Sequence, residues 1–244
     1  MRAISGVRDI KPATRGWLAL QRARLAHKRH PDLGEISAYC FYATKLRFRE
    51  LAFDIGASRG AHTAQMINRG ARVVAIEPQP KIAAHLAERF PTATVLVMAV
   101  SDEPGQAPLH LFRQSDELAS LDARWGDFGG ETSPTRERSE RVAVTTVDEL
   151  IDAYGEPALV KIDAEGFDHR VLRGLSRPVD HILFELHAAR RDDAAAAFER
   201  LEELGRYEYR VSPAETWRYD ESKRAEAILA DVPDWGSVYA RRIR

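Results

Sequence analysis

The chain has 244 residues, 44% of them hydrophobic, and 36 Lys/Arg against 37 Asp/Glu give a formal net charge of -1. That length can bury a full core, either as one large α/β domain or as a domain with a modest appendage, and one domain fits better. The single Cys40 excludes an internal disulfide and a cysteine-rich metal site, and no apolar run approaches the roughly 20 residues of a membrane span.

The start, MRAISGVRDIKPATRG, lacks the apolar core of a signal peptide, so a soluble cytoplasmic protein is expected. Residues 1–50 hold eleven Lys/Arg against four Asp/Glu, a local +7 that leaves -8 for the remainder. Trp17, Leu18 and Leu25 fall near one helical face, with Arg22, Lys28 and Arg29 available for the other. Residues 1–49 therefore read as a basic helical extension packed on a main domain of residues 50–244. Neither a membrane nor nucleic acid is an expected partner, because basic and aromatic residues are not interleaved as on a nucleic-acid platform.

Leu51, Ala52, Phe53 and Ile55 can form a buried strand, and the segment FDIGASRG (53–60) then turns into a helix. Gly56 and Gly60 permit tight turning and close approach of backbone to a ligand at the helix N-terminus. Ser58 stands where a dinucleotide fingerprint wants its second glycine. Asp54, two residues before the first glycine, would crowd a pyrophosphate but suits a ligand with a cationic amino group and no phosphates, such as S-adenosylmethionine.

Strand and helix then alternate, which predicts a mostly parallel sheet covered on both faces. A helix over 61–68 leads to a strand over 72–76 that ends at Glu77, then to a helix with Ile82, Leu86 and Phe90 spaced by four. A third strand is predicted over 94–100. Leu109–Phe112 and Val142–Thr146 read as arms of a hairpin, separated by a polar stretch over 115–140 that suggests a substrate loop or lid. Thr146 and Glu149 form a capping-box pattern opening a helix over 147–153. The apolar strand 158–162 ends at Asp163, a short helix over 167–173 follows, and strand 182–186 leads into an Ala-rich helix ending at Gly205. Residues 207–211 and 237–240 supply a terminal hairpin with 214–235 inserted.

Five linked strands and a late pair give the element order of a class I methyltransferase: a Rossmann-like, mostly parallel, seven-stranded sheet with a late antiparallel strand. Ligands bind such sheets at the carboxyl ends of the strands. Asp54, Glu77, Ser101, Asp102, Asp163, Glu165, Glu185 and His187 all fall at such ends. Glu77 lies 21 residues beyond Gly56, where a carboxylate can accept both ribose hydroxyls of an adenosine.

The segments FDIGASRG, VVAIEP (73–78), AVSDEPG (99–105) and above all VKIDAEGFDHRVLRGL (160–175) resemble the FkbM family of S-adenosylmethionine-dependent methyltransferases over about residues 50–187. Ser58 departs from the Asn that members often carry. The resemblance implies that Asp54, Gly56, Ala57, Ser58 and Gly60 surround the amino-acid end of the cofactor, with Glu77 on the ribose and Ser101 and Asp102 near the adenine. It also implies O-methylation of a small hydroxylated acceptor, such as a saccharide or a natural product. A homodimer is compatible with this reading.

A hydroxyl is a poor nucleophile and needs a general base or a metal that lowers its pKa. Asp163, Glu185 and His187 are the catalytic candidates, because they end neighbouring strands. Either His187 or Glu185 takes the proton directly, or Asp163 and Glu185 hold a hard divalent ion such as Mg2+ with His187 as ligand or base. Trp125 and Phe128 could stack on an acceptor, and Lys161 could reach a carboxylate near the cofactor. The alternatives are a nicotinamide-dependent oxidoreductase on the same sheet class and a binding module that keeps the pocket without the chemistry.

Overall fold

The computed structural model describes residues 33–113, 115–125, 135–213 and 216–244. Trp17, Leu18, Leu25, Arg22, Lys28, Arg29 and Phe128 lie outside the described residues. Helix α1 (Leu33–Lys45) leads into strand β1 (Leu51–Ile55), followed by α2 (Ala61–Asn68), β2 (Arg72–Ile76), α3 (Pro80–Arg89) and β3 (Thr94–Leu96). Every residue of β1 is buried. Such a strand, apolar on both faces, belongs in the middle of a parallel sheet with helices on each side.

After strand β4 (Ala99–Val100), three long strands leave the main body: β5 (Gly105–Phe112), β6 (Ser115–Ser120) and β7 (Arg136–Thr145). The chain returns through α4 (Val147–Tyr154), β8 (Leu159–Ile162), α5 (Asp168–Arg173), β9 (His181–His187), α6 (Arg191–Leu204), β10 (Tyr207–Pro213), α7 (Ala225–Ala230) and β11 (Trp235–Arg242). The capping box opening α4 is present in full: the Thr146 side chain accepts from the Glu149 N–H, and the Glu149 carboxylate accepts from the Thr146 N–H.

The main sheet runs β10-β11-β9-β8-β1-β2-β3. Only β11 is antiparallel, paired on one side with β9 and on the other with β10. This is the class I methyltransferase order. The chain reverses its direction of travel across the sheet between β1 and β8, so the carboxyl ends of those two strands flank the crevice where open α/β sheets bind ligands. Alternation sorts side chains onto two faces. Phe53, Ile55, Val74 and Ile76 join the core under α4, α5 and α6, whereas Ala52, Val73 and Ala75 pack with Phe41, Tyr42, Met66 and Leu86 of α1, α2 and α3.

Two expectations need correction. The apolar run 94–100 is two strands: β3 belongs to the main sheet, whereas β4 pairs with β7 in a second sheet of order β4-β7-β5-β6. The chain changes sheets at Val97 and Met98, which leaves Val97 exposed. The stretch 115–140 also contains β6 and the first half of β7, and β7 pairs with β5 from Gly105↔Val144 to Phe112↔Arg136. Residues 136–140 are exposed on both faces, so no apolar alternation marks them as strand. Among the described residues no helix is long and apolar enough to cross a membrane.

Candidate active site

The turn after β1 is built to let backbone approach backbone. Gly56 has φ +72°, and a Cβ there would sit 1.8 Å from the Asp163 carbonyl oxygen at the end of β8. The Gly56 and Ala57 N–H groups both donate to the Ile76 carbonyl at 3.0 Å, which ties the turn to the end of β2. Ser58 is also left-handed, at φ +46°. Its N–H donates to Glu77 Oε2 at 3.0 Å, and the Gln79 N–H donates to Oε1 at 2.9 Å. Burial raises the Glu77 pKa and these two N–H bonds oppose the rise. Each carboxylate oxygen retains a lone pair for a further donor, the arrangement a vicinal diol requires.

Glu77 borders a cavity of about 520 Å³ at the carboxyl ends of β1, β2 and β8. Gly56, Ala57 and Ser58 line it, and so do Lys161, Asp163 and Glu165. Met98, Leu109, Leu118 and Leu121 close it from the second sheet, apolar walls that chain-order reading did not single out. The volume lies within the range of small-molecule pockets.

Asp54 is fully buried beneath the turn, one layer behind the cavity wall. Its Oδ2 accepts from the Thr63 hydroxyl at 2.5 Å, and its Oδ1 lies 3.6 Å from Lys161 Nζ. Lys161 donates to the Gly56 carbonyl at 3.1 Å and to Asp163 Oδ2 at 3.0 Å. Burial alone would lower the Lys161 pKa, but the carboxylates of Asp163 and Asp54 outweigh it and hold the ammonium charged.

Ser101, Asp102, Glu185 and His187 lie outside that cavity. The Ser101 hydroxyl donates to Asp102 Oδ1 at 2.8 Å, and Asp102 pairs with Arg170 at 3.0 Å, so this couple fastens α5 to the loop after β4. Glu185 and His187 face a separate, much smaller cavity with Asp168, His169 and Arg190. Burial first, and then the charges of Asp163 and Asp168, raise the Glu185 pKa well above the usual carboxylate range. Burial and the Arg190 charge lower His187 to about 4. Asp168 accepts from the N–H groups of Ala164 at 3.3 Å and Glu185 at 3.1 Å, bridging the ends of β8 and β9. Burial and the Asp163 charge push its pKa up to about 6.

The roof over the main cavity is anchored. The Ser120 hydroxyl donates to the Glu165 carbonyl at 2.8 Å, and Arg190 pairs with both Asp122 and Asp193. Trp125 lies against Gly166, where a Cβ would come within 2.5 Å of the indole, and it meets the His187 ring edge-on at 5.1 Å. The Trp125 side chain thus locks the roof to the β8–α5 turn. His62, at the start of α2, also lines the cavity, bonds the Tyr42 hydroxyl through Nδ1 at 2.9 Å, and is lowered by burial to about 3.

The donor set fits S-adenosylmethionine: Glu77 offers a diol acceptor and the glycine turn a close backbone approach. It does not fit Mg2+ at Asp163 and Glu185. The Lys161 ammonium occupies the Asp163 carboxylate, and the described residues contain no group of three or more His, Cys, Asp or Glu placed to hold a metal ion.

Among solved structures, the chain is similar to a TehB-like SAM-dependent methyltransferase from Corynebacterium glutamicum, at 13% identity over 96% of this chain and 100% of that one, with a TM-score of 0.49. It is also similar to precorrin-6y C5,15-methyltransferase from Geobacter metallireducens, at 15% identity over 84% and 88% of the two chains and a TM-score of 0.45. An O-methyltransferase from Bacillus cereus in complex with SAH aligns at 16% identity over 97% and 93%, with a TM-score of 0.44. Compared with curated protein sequences, the chain matches none. The model of the methyltransferase FkbM domain matches residues 54–211, from the acid before the glycine turn into β10. The chain therefore belongs to the FkbM family of methyltransferases, which sets the nicotinamide alternative aside.

Proposed function

We propose that the protein is an S-adenosylmethionine-dependent O-methyltransferase acting on a hydroxyl of a small acceptor, such as a saccharide or a natural-product-like molecule. The observation that carries this reading is that one cavity is bordered both by the doubly N–H-bonded Glu77 and by the Asp163 carboxylate. When bound, S-adenosylmethionine supplies an electrophilic methyl group on a sulfonium. Glu77 accepts from the ribose hydroxyls. Asp163 orients the acceptor hydroxyl for in-line attack and takes its proton as the oxygen–methyl bond forms and the sulfur–methyl bond breaks.

Oxygen rather than nitrogen is the favoured acceptor because β8 is followed by Asp163-Ala164-Glu165-Gly166, where amino-directed methyltransferases of bases carry D/N-P-P-Y. Glu185 and His187 are weaker candidates than Asp163, since they face the smaller cavity. In this reading the 115–140 segment supplies the acceptor wall through Leu118, Ala119 and Leu121, which also exclude water.

Calorimetric titration with S-adenosylhomocysteine, followed by a screen of hydroxylated acceptors with labelled cofactor, tests the reading. The Asp163→Ala variant should lose about 100-fold or more in turnover, the lower range for a general base, with cofactor affinity within threefold. Near-normal turnover in that variant refutes the role of Asp163. Cofactor binding without turnover on any acceptor favours the inactive binding module.

A further inference from the structure

Lys161 is a charged residue in the middle of an otherwise apolar, wholly buried strand, LVKI. Its Cα partner across the parallel ladder is Asp54, and Asp163 lies two residues further on, just past the end of the strand and in hydrogen-bond reach of the ammonium. An ammonium has three N–H donors. Gly56 O and Asp163 Oδ2 take two of them within hydrogen-bond distance, and Asp54 Oδ1 lies 3.6 Å away. A buried charge persists only where such partners surround it. The Asp163 side chain is about one-quarter exposed, so burial alone does not fix its orientation and the Lys161 hydrogen bond does.

We propose that Lys161 is a positioning residue that fixes the Asp163 carboxylate relative to the glycine turn, so that its acceptor oxygen faces the methyl group to be transferred. The inference rests on the proposed function, because that reading places the methyl group beside Asp163. Through the Gly56 carbonyl the same ammonium holds the turn that receives the cofactor. Cofactor site and proton acceptor are thereby built on one cation.

A test independent of the acceptor uses sinefungin, an S-adenosylhomocysteine analogue with an amine at the position of the transferred methyl. Its affinity relative to S-adenosylhomocysteine reads the carboxylate at that position. Calorimetry on the full chain should show a preference for sinefungin of about tenfold or more, from a charge-assisted hydrogen bond to Asp163. Asp163→Asn should abolish the preference, Lys161→Met should reduce it at least fivefold, and the double variant should match Asp163→Asn alone. Charge removal without loss of position predicts the reverse, since deleting a cation favours a cationic ligand. Lys161→Gln is measured beside Lys161→Met in case the methionine variant unfolds; its amide keeps a polar group in the strand but ends one bond short of the lysine nitrogen, which stands 3.0 Å from Asp163, so it should show the same loss. A preference unchanged or increased in the folded Lys161 variants overturns the inference. Failure of the wild-type protein to bind S-adenosylhomocysteine, or retention of the preference in Asp163→Asn, overturns instead the proposed function on which it rests.

Discussion

Replacing Gly56 by alanine tests whether the close approach of the β1 turn to the end of β8 makes the site. The new Cβ would lie 1.8 Å from the Asp163 carbonyl oxygen, and ordinary contact begins at 3.4 Å, so the two backbones must part by about 1.6 Å. That movement stretches the bonds from Gly56 and Ala57 N–H to the Ile76 carbonyl and from Lys161 Nζ to the Gly56 carbonyl, all 3.0–3.1 Å long. Left-handed strain contributes roughly 1–2 kcal/mol, and each weakened hydrogen bond roughly 1 kcal/mol. A loss of about 3 kcal/mol or more follows, or about 6–12 °C in Tm for a domain of this size. The matched control is Gly155→Ala, with φ +100° and nothing within 4 Å of the added Cβ, which isolates backbone strain. Thermal melts and calorimetry with S-adenosylhomocysteine on both variants are the assay. Gly56→Ala should lose cofactor affinity by about 30-fold or more, whereas Gly155→Ala should keep it. A Gly56→Ala protein that melts within about 2 °C of wild type, the shift that at most about 1 kcal/mol gives in a domain of this size, and binds the cofactor normally would refute the reasoning.

His187→Gln isolates a pH effect. Burial and the Arg190 charge hold the folded imidazole at about 4, below the roughly 6.5 of an exposed one, so the unfolded chain takes up the proton first as pH falls. Stability contributed by neutral His187 is thus full above pH ~6.5 and lost on descent to about 4. Wild type should lose roughly 3 kcal/mol relative to the glutamine variant over that window, and parallel melting curves across it would contradict the assignment. Arg190→Ala removes the partner that reaches Asp122 from the residue just before α6, leaving that nearly buried carboxylate to the exposed Arg124. A loss of about 3 kcal/mol is expected, with Arg190→Lys restoring only part because an ammonium cannot fork to Asp122 and Asp193 together; an unchanged Tm in Arg190→Ala would remove the roof anchor. Exhaustive chelation should leave turnover unchanged, because Lys161 already occupies the Asp163 carboxylate, and a strict Mg2+ requirement in steady-state assays would overturn that view.

The strands that could be read from sequence are those buried on both faces. Residues of β1, β2 and β8 sit at the middle of the sheet, so their composition is nearly continuous and apolar. The split between β3 and β4 had no such signal, since TVLVMAV is one apolar run and only the placement of the second sheet pulls Met98 into the cavity wall. Residues 136–140 of β7 were illegible for the opposite reason. Where both faces of a strand meet water, side-chain alternation carries no information.

The glycine turn and Glu77 were legible because backbone geometry constrains them: only certain residues tolerate the turn, and the acid must stand at the end of the next strand. Glu185 and His187 also stand at the carboxyl end of a strand, but they border the smaller cavity beside Asp168 and Arg190, with the Trp235 indole N–H donating to Glu185. Lys161 carried a further signal, and it does reach carboxylates. A lysine inside an apolar parallel strand must meet buried carboxylates, and its ladder partner Asp54 and near neighbour Asp163 are those carboxylates. That compensation separates the acids at the carboxyl ends of β8 and β9. Asp168 and Glu185 are buried among like charges and are driven toward the protonated form. Asp163 has a hydrogen-bonded ammonium and borders the main cavity, the placement that the proposed function asks of its proton acceptor. In the proposed function the placement of the chemistry therefore follows the buried cation.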